Sequence, residues 1–262
     1  MKPMSLRNLY HRFVPQLVQQ ALKPVLHPRL WLVQRQVFRH AGGAIISGPF
    51  KGMKFGKKPL SLPIVAGTYE LELHEVFRRL ADRHFSRIID IGAAEGYYAV
   101  GAALWQPRCR VTAYEANPIY HDSIRHLAQS NNVLSRVEIK GSCQLNDLRA
   151  LGEDLIGSFM IVDVEGYEKE LLDPQEVPAL KKATILVEVH DSFVAGCDEA
   201  IRRRFEPSHS ISSFKSRSRH PSEYPIKSGL ASLSLMRSAL VYSISDGRTE
   251  PNGWLLLEPK AC

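Results

Sequence analysis

Apolar residues recur along the middle of the chain in two rhythms that take turns. Leu73, Val76, Phe77, Leu80 and Ala81 fall at i, i+3, i+4, i+7 and i+8, the stripe of an amphipathic helix. Compact apolar runs at residues 87–91, 110–115, 137–140, 159–163 and 184–190 are the length of strands. Helical stretches separate them, at residues 96–105 and 118–131, the second with a stripe of Tyr120, Ile124, Leu127 and Ala128. A short helix ending near Pro174 lies between the last two runs. Strands that alternate with helices predict an α/β fold: a mostly parallel sheet with helices on both faces. Beyond residue 190 the pattern weakens to a basic segment, a helix around residues 230–241 and a last strand at 254–258, which suits an antiparallel closing strand.

The start of the chain reads differently. Residues 1–40 mix Leu, Val, Phe and Trp with Arg and Lys and are broken by Pro15, Pro24 and Pro28, a pattern of two or three short amphipathic helices. Residues 44–55 alternate around Gly48-Pro49 and Gly52, which predicts a β-hairpin. The expected division is a basic N-terminal helical arm and hairpin over residues 1–60 and an α/β domain over residues 61–262.

Charge sharpens that division. Of 34 Lys and Arg, eleven fall in residues 1–69, where there is no Asp or Glu; the remainder carries 23 basic against 27 acidic side chains. The excess of +7 therefore belongs to the arm, which leaves peripheral contact with a membrane or an acidic partner open for that segment. With 44% hydrophobic and 23% charged residues in 262, the composition is that of a globular chain and excludes collagen-like or disordered classes. No apolar run is long enough to span a bilayer. Cys109, Cys143, Cys197 and Cys262 are far apart and show no CxxC or zinc-finger spacing, so a reducing, cytoplasmic setting without structural metal is expected. The prolines and the missing cleavage region argue against a secretory leader.

The chemistry concentrates at the first strand–helix junction. Ile88-Ile89-Asp90-Ile91-Gly92-Ala93-Ala94-Glu95-Gly96 runs from an apolar strand through small residues into a helix, and glycines there would let backbone approach a ligand. Glu115 ends the next strand, about 20 residues on, where a carboxylate suits the hydroxyls of a ribose. Nicotinamide and flavin enzymes share that geometry, but their G-x-G-x-x-G turn is absent: Ala94 and Tyr97 stand at the second and third glycine positions. Asp90 would be unwelcome beside a diphosphate yet suits an ammonium group. A ribose, an ammonium and a sulfonium together describe S-adenosyl-L-methionine.

Several blocks together resemble the FkbM-type methyltransferases, a branch of the class I S-adenosylmethionine-dependent enzymes. Gly67-Thr68-Tyr69-Glu70-Leu71-Glu72 is similar to that family's Tyr-Glu-x-Glu entry, and residues 90–96 to its Asp-Val-Gly-Ala-Asn-x-Gly turn. Tyr114-Glu115-Ala116-Asn117-Pro118 resembles its Phe-Glu-Pro-Asn-Pro strand end. Asp163-Val164-Glu165-Gly166-Tyr167-Glu168 resembles its Asp-x-Glu-Gly-x-Glu block, and Leu186-Val187-Glu188-Val189-His190 the strand that follows. The likeness covers roughly residues 66–192 and departs at Ala94, where Asn is usual, and at Ala116, where Pro is.

The resemblance implies a Rossmann-like class I methyltransferase sheet, with O-methylation of a hydroxyl on a sugar, glycolipid or small metabolite. It places Asp90, Gly92, Ala93, Gly96, Glu115 and Ala116 around the methionine tail and ribose, and Ser142 and Cys143 at the adenine. Tyr69 and Glu70 would close over the cofactor. Asp163, shared with the cofactor site, Glu165 and His190 are the catalytic candidates, with Asp163 or His190 as the base toward the hydroxyl. Asp163, Glu165 and Asp191 could supply oxygens to a divalent ion, but their spacing does not demand one, and no metal is assigned. Arg202-Arg203-Arg204 with Lys215, Arg217 and Arg219 could meet phosphate or acidic sugar. A nucleic-acid methyltransferase is the second reading, and a non-catalytic, membrane-associated scaffold of the same fold the third.

Overall fold

The computed structural model of the chain describes residues 26–56, 60–227, 229, 234–247 and 253–260. The expectations for residues 1–25 and for most of 228–233 lie outside them. Seven strands form one sheet: β1 (Ile88–Ile91), β2 (Val111–Tyr114), β3 (Val137–Lys140), β4 (Phe159–Val162), β5 (Thr184–Val189), β6 (His209–Lys215) and β7 (Gly253–Pro259). Their order is β3-β2-β1-β4-β5-β7-β6. The first five are parallel, and β7 runs antiparallel between β5 and β6. This is the expected Rossmann-like, mostly parallel sheet, with the closing antiparallel strand where the sequence put it.

Every residue of β1, β2, β4 and β5 is buried, as expected for strands covered on both sides. One face packs Ile88, Phe159, Leu186 and Trp254 against Phe77, Tyr97 and Val100. The other packs Ile89, Met160, Ile185 and Leu255 against Leu148, Leu171, Ile201 and Phe205. Alternation along each strand therefore sorts side chains to opposite cores, and at the ends of β4 and β5 it puts acidic residues on the first face.

The helices are α1 (Pro28–Ala41), α2 (Leu62–Ala66), α3 (His74–Leu80), α4 (Tyr97–Trp105), α5 (Pro118–Ser130), α6 (Leu145–Leu151), α7 (Glu168–Leu171), α8 (Cys197–Phe205) and α9 (Arg237–Ile244). Helix α3 buries Val76, Phe77 and Leu80 as its stripe predicts, but ends one residue before the exposed Ala81. Helix α5 starts where Asn117 accepts the Ile119 amide at 3.1 Å and Pro118 occupies the first turn. Helix α1 buries Val33 and Val37 in a third cluster with Tyr224, Leu240 and Ile244. The described part of the basic arm thus docks on α9.

Two expectations change. Residues 44–55 form turns around a single bridge between Ala44 and Lys54 instead of a two-stranded hairpin. Asn131 holds this loop by exchanging hydrogen bonds with the Lys54 backbone at 2.7 and 2.8 Å. The basic segment after residue 196 is a helix and an edge strand, α8 and β6. Its arginines are largely occupied. Arg202 pairs with Asp198 at 2.8 Å, Arg204 with Asp173 at 3.1 Å, Arg217 with Glu223, and the buried Arg219 with Glu72 and Asp246 at 2.9 and 2.7 Å. No described helix is long and apolar enough to cross a membrane.

Candidate active site

The strand order reverses direction on either side of β1, with β2 on one flank and β4 on the other. Such a switch point opens a crevice at the carboxyl ends of the strands. A cavity of about 720 Å³ lies there, lined by the β1–α4 turn, the ends of β2 and β3, and the loop after β4.

The β1–α4 turn is held from below. The amides of Gly92 and Ala93 both donate to the Tyr114 carbonyl, at 2.9 and 3.0 Å, which clamps the turn to the end of β2. Gly92 adopts φ +92°, and a Cβ there would overlap the Asp163 carbonyl oxygen at the end of β4. Gly96, at φ +94°, would press a Cβ on Ile124 of α5. Both glycines are therefore demanded by chain packing; Gly92 also lines the cavity, whereas Gly96 does not. Ala94 has the left-handed φ of 43°, a conformation that Asn tolerates better than Ala.

Glu115 is the hinge of this wall. One carboxylate oxygen accepts the Ala94 amide at 2.7 Å and the other accepts the Asn117 amide at 2.7 Å. With 9% of its surface exposed, it is fixed at the cavity edge. Its oxygens retain acceptor capacity, since an ionised carboxylate has about four lone-pair sites. Beside it lie Ala116, Tyr114 and Tyr120, and across from these Ser142, Cys143 and Gln144. Burial, with the Asp147 charge adding to it, pushes the Cys143 thiol up to about 12, so it is an apolar wall and not a nucleophile. Tyr167, from the loop after β4, donates its hydroxyl to Gln144 at 3.2 Å across the rim.

On the β4–β5 side the chemistry is ionic. His190 follows β5 and is 3% exposed. Its Nδ1 is 2.7 Å from the Glu168 carboxylate, and its Nε2 is 3.6 Å from Asp163 Oδ1 and 3.8 Å from Glu188 Oε2. Glu168 also accepts the Val164 and Gly166 amides at 3.2 and 3.0 Å, so it shapes the loop in which Glu165 takes a left-handed φ of 49°. Burial opposes charge on His190, but the hydrogen bond and charge of Glu168, together with Glu188 and Asp163, raise its pKa above the ordinary histidine value. Burial likewise opposes charge on Glu168, and the His190 bond with the backbone amides outweighs it and holds the carboxyl below its usual range. Each member of the pair favours the charged form of the other.

Of the residues expected at the cofactor, Gly92, Glu115, Ala116, Ser142, Cys143 and Asp163 line the cavity, as does the exposed Glu165. Tyr69, Glu70, Asp90, Ala93 and Gly96 do not. Glu70 is fully buried and accepts the Tyr98 hydroxyl inside the aromatic core, where Tyr69 packs edge-on against Tyr97 at 5.4 Å. Ala93 is turned into that core. Asp90 lies behind the turn, 1% exposed, with Oδ2 lacking a partner among the described residues. Burial, reinforced by the Asp163 charge, pushes its carboxyl up to about 8. Asp191 is spent at the start of α8, where it accepts the Cys197 amide at 2.8 Å. The carboxylate set nearest a cation-binding geometry is therefore Asp163 and Glu188 with His190, in place of Asp163, Glu165 and Asp191.

Sequence reasoning missed Glu168, Glu188, Tyr114, Tyr120 and Gln144. Glu188 was legible as an acidic residue embedded in an apolar run; Glu168, in the polar stretch Gly166-Tyr167-Glu168-Lys169, was not. Tyr120 was read as part of the α5 core stripe, and it stands half-buried on the cavity wall. A second hollow of about 550 Å³ lies past the end of β5, between Asp191, Arg202, Lys215 and Trp254.

Comparison with protein-family models and with curated proteins returns no match. Among solved structures, the chain resembles an O-methyltransferase from Bacillus cereus in complex with SAH: 17% identity over 93% of this chain and 97% of that one, with a TM-score of 0.49. It also resembles the O-methyltransferase TomG from Streptomyces achromogenes in complex with SAM: 16% identity over 78% of this chain and 92% of that one, TM-score 0.49. These are likenesses of backbone, at identities too low to transfer an activity; the fold stands on the strand order itself.

Proposed function

We propose that the chain is an S-adenosylmethionine-dependent methyltransferase acting on an oxygen atom. The observation that carries this reading is the position of Glu115: a buried carboxylate at the end of β2, bonded to the β1–α4 turn, on the wall of a cavity whose volume of about 720 Å³ suits a nucleoside. A ribose diol would donate both hydroxyls to Glu115. The adenine would lie between Tyr114, Ala116, Ser142 and Cys143, which present small or flat surfaces. Gly92 and Asp163 face the remaining part of the cavity, toward the methionine portion. When bound, S-adenosylmethionine supplies an electrophilic methyl group on a cationic sulfur.

The protein's own share is positioning and proton handling. Asp163 stands where the cavity meets the buried ion cluster, with its side chain 32% exposed. His190 is held by Glu168 with Nε2 toward Asp163, which fixes the carboxylate that an acceptor hydroxyl would meet. The proton of that hydroxyl leaves into this carboxylate–imidazole group, of which Asp163 is the member facing the cavity. The choice of oxygen, and of a sugar, glycolipid or small metabolite as acceptor, follows the FkbM-type resemblance. The internal pairing of Arg204, Arg217 and Arg219 argues against phosphate binding by that segment; a nucleic-acid acceptor would have to be met by the basic N-terminal arm.

Isothermal titration with S-adenosylhomocysteine tests the reading directly. Binding at a stoichiometry of one is expected, weakened in Glu115→Gln. A folded protein that gives no heat would remove both methyltransferase readings and leave the scaffold.

A further inference from the structure

Three carboxylates, Asp163, Glu168 and Glu188, converge on one imidazole at the carboxyl edge of the sheet, with the Asp90 carboxyl beneath them. Asp163 and Glu188 are level with one another, each following the paired residues Val162 and Val187 of β4 and β5. Asp90, paired with Ile161, lies one pleat below Asp163 on the same face. Glu168 approaches His190 from the other side of the ring.

The geometry around His190 is that of a metal-ligating histidine. Its Nδ1 is committed to the Glu168 carboxylate, which is itself fixed by the Val164 and Gly166 amides. That arrangement turns Nε2 toward Asp163 and Glu188. A carboxylate on one ring nitrogen and a cation on the other is the usual partition for bound imidazole. One ligand atom from each of Asp163, Glu188 and His190 falls within 4.8 Å of the others. Bonds of about 2.0–2.2 Å to a common ion place such atoms roughly 3 to 3.5 Å apart, so a small rotation of Asp163 and Glu188 suffices. A separate observation points the same way. Oδ2 of Asp90 is buried with no partner among the described residues, so this face holds an acceptor that a water bound to an ion would satisfy.

We propose that Asp163, Glu188 and His190 bind a divalent first-row cation, and that this ion receives the acceptor hydroxyl. Two carboxylate oxygens and one imidazole suit Mn²⁺ or Zn²⁺ better than a thiol-seeking ion, and three protein ligands leave positions open for the acceptor. With the ion bound, Asp163 and His190 serve as ligands in place of proton acceptors, so the O–H bond of the coordinated hydroxyl breaks and its proton passes to solvent. The oxygen then forms the new C–O bond while the C–S bond breaks, and sulfur keeps the electron pair as a neutral thioether. The catalytic part of this rests on the methyl-transfer reading; the cation site does not.

The test is Mn²⁺ binding to the full chain without any nucleoside, read from loss of the free-ion EPR signal. One ion per chain is expected, bound at least tenfold more weakly by Asp163→Asn, Glu188→Gln and His190→Gln. Glu170→Gln, an exposed carboxylate on α7, should leave binding unchanged. Asp163 is partly exposed, so its variant tests the site even where a buried substitution fails to fold. Mn²⁺ should also raise the melting temperature of the unsubstituted protein. No binding, or equal affinity in Asp163→Asn, overturns the proposal. S-adenosylhomocysteine titrated separately distinguishes the two claims. Nucleoside binding without Mn²⁺ binding removes the ion and keeps the methyltransferase, and the reverse keeps the ion alone.

Discussion

At the carboxyl edge of the sheet, the β1–β2 side and the β4–β5 side meet the same cavity with different materials. On the β1–β2 side the wall is backbone: the Gly92 and Ala93 amides clamp to Tyr114, and one carboxylate, Glu115, gathers the Ala94 and Asn117 amides. Its shape follows from left-handed residues and small side chains. On the β4–β5 side Asp163 lines the cavity, and behind it Glu168 and Glu188 surround His190, mostly removed from solvent. Shape recognises a ligand without regard to its protonation, whereas the ionic wall can move a proton. Under the proposed function, the first side would hold the ligand and the second would handle the proton.

The comparison can be broken most forcefully at the ionic side. Glu168→Ala should cost on the order of 3–5 kcal/mol, because it removes one partner of a buried pair with His190 and leaves two loop amides without their acceptor. Urea denaturation reads this, and a loss below 1 kcal/mol would show that the cluster does not organise the loop. On the backbone side Gly92→Ala should cost about 3 kcal/mol or more, from the overlap with the Asp163 carbonyl added to the φ of +92°. Glu115→Ala should weaken S-adenosylhomocysteine about 10- to 100-fold in titration, from lost charge-assisted hydrogen bonds. An unchanged affinity would move the ribose elsewhere.

Two smaller effects sharpen the contrast. Ala94→Asn places a residue that tolerates φ 43° where Ala is strained, and should raise stability by about 0.5–1 kcal/mol while the Ala94 amide bond to Glu115 survives. A second histidine, His209, shows what burial does without carboxylates. Burial lowers its pKa, and the hydrogen bond to the Ala183 carbonyl at 2.9 Å only partly offsets that. Below about pH 6.5 the unfolded chain then takes up a proton that the folded chain refuses, so stability falls as pH drops through that window. His209→Gln should flatten this slope in denaturation curves measured between about pH 7 and pH 5.

The parallel core of the fold was legible because buried strands are written as solid apolar runs, and β1, β2, β4 and β5 are buried at every position. Strand β6 was not. HSISSFK offers Ile211 and Phe214 alone, since an edge strand half-open to solvent needs little apolar pattern. Helix α8 was hidden for a related reason: its arginines read as a surface cluster, while Arg202 pairs one turn back with Asp198 and Arg204 with Asp173, outside the helix. At the site, three residues that line the cavity were placed: Glu115 by its position at a strand end, which topology fixes, and Ser142 and Cys143 by the family resemblance. Glu70 and Glu168 were not, because each is bound by a tertiary partner, Tyr98 or His190, that no local spacing reveals.

The contact between Gly92 and the Asp163 carbonyl has a mechanical side. No methyl group fits between the two segments, and the Asp163 amide is tied back to the Ile91 carbonyl at 2.9 Å. The two walls of the crevice thus touch backbone to backbone at their base, with no side chain between them to absorb a shift of the small-residue turn before it reaches the Asp163 segment.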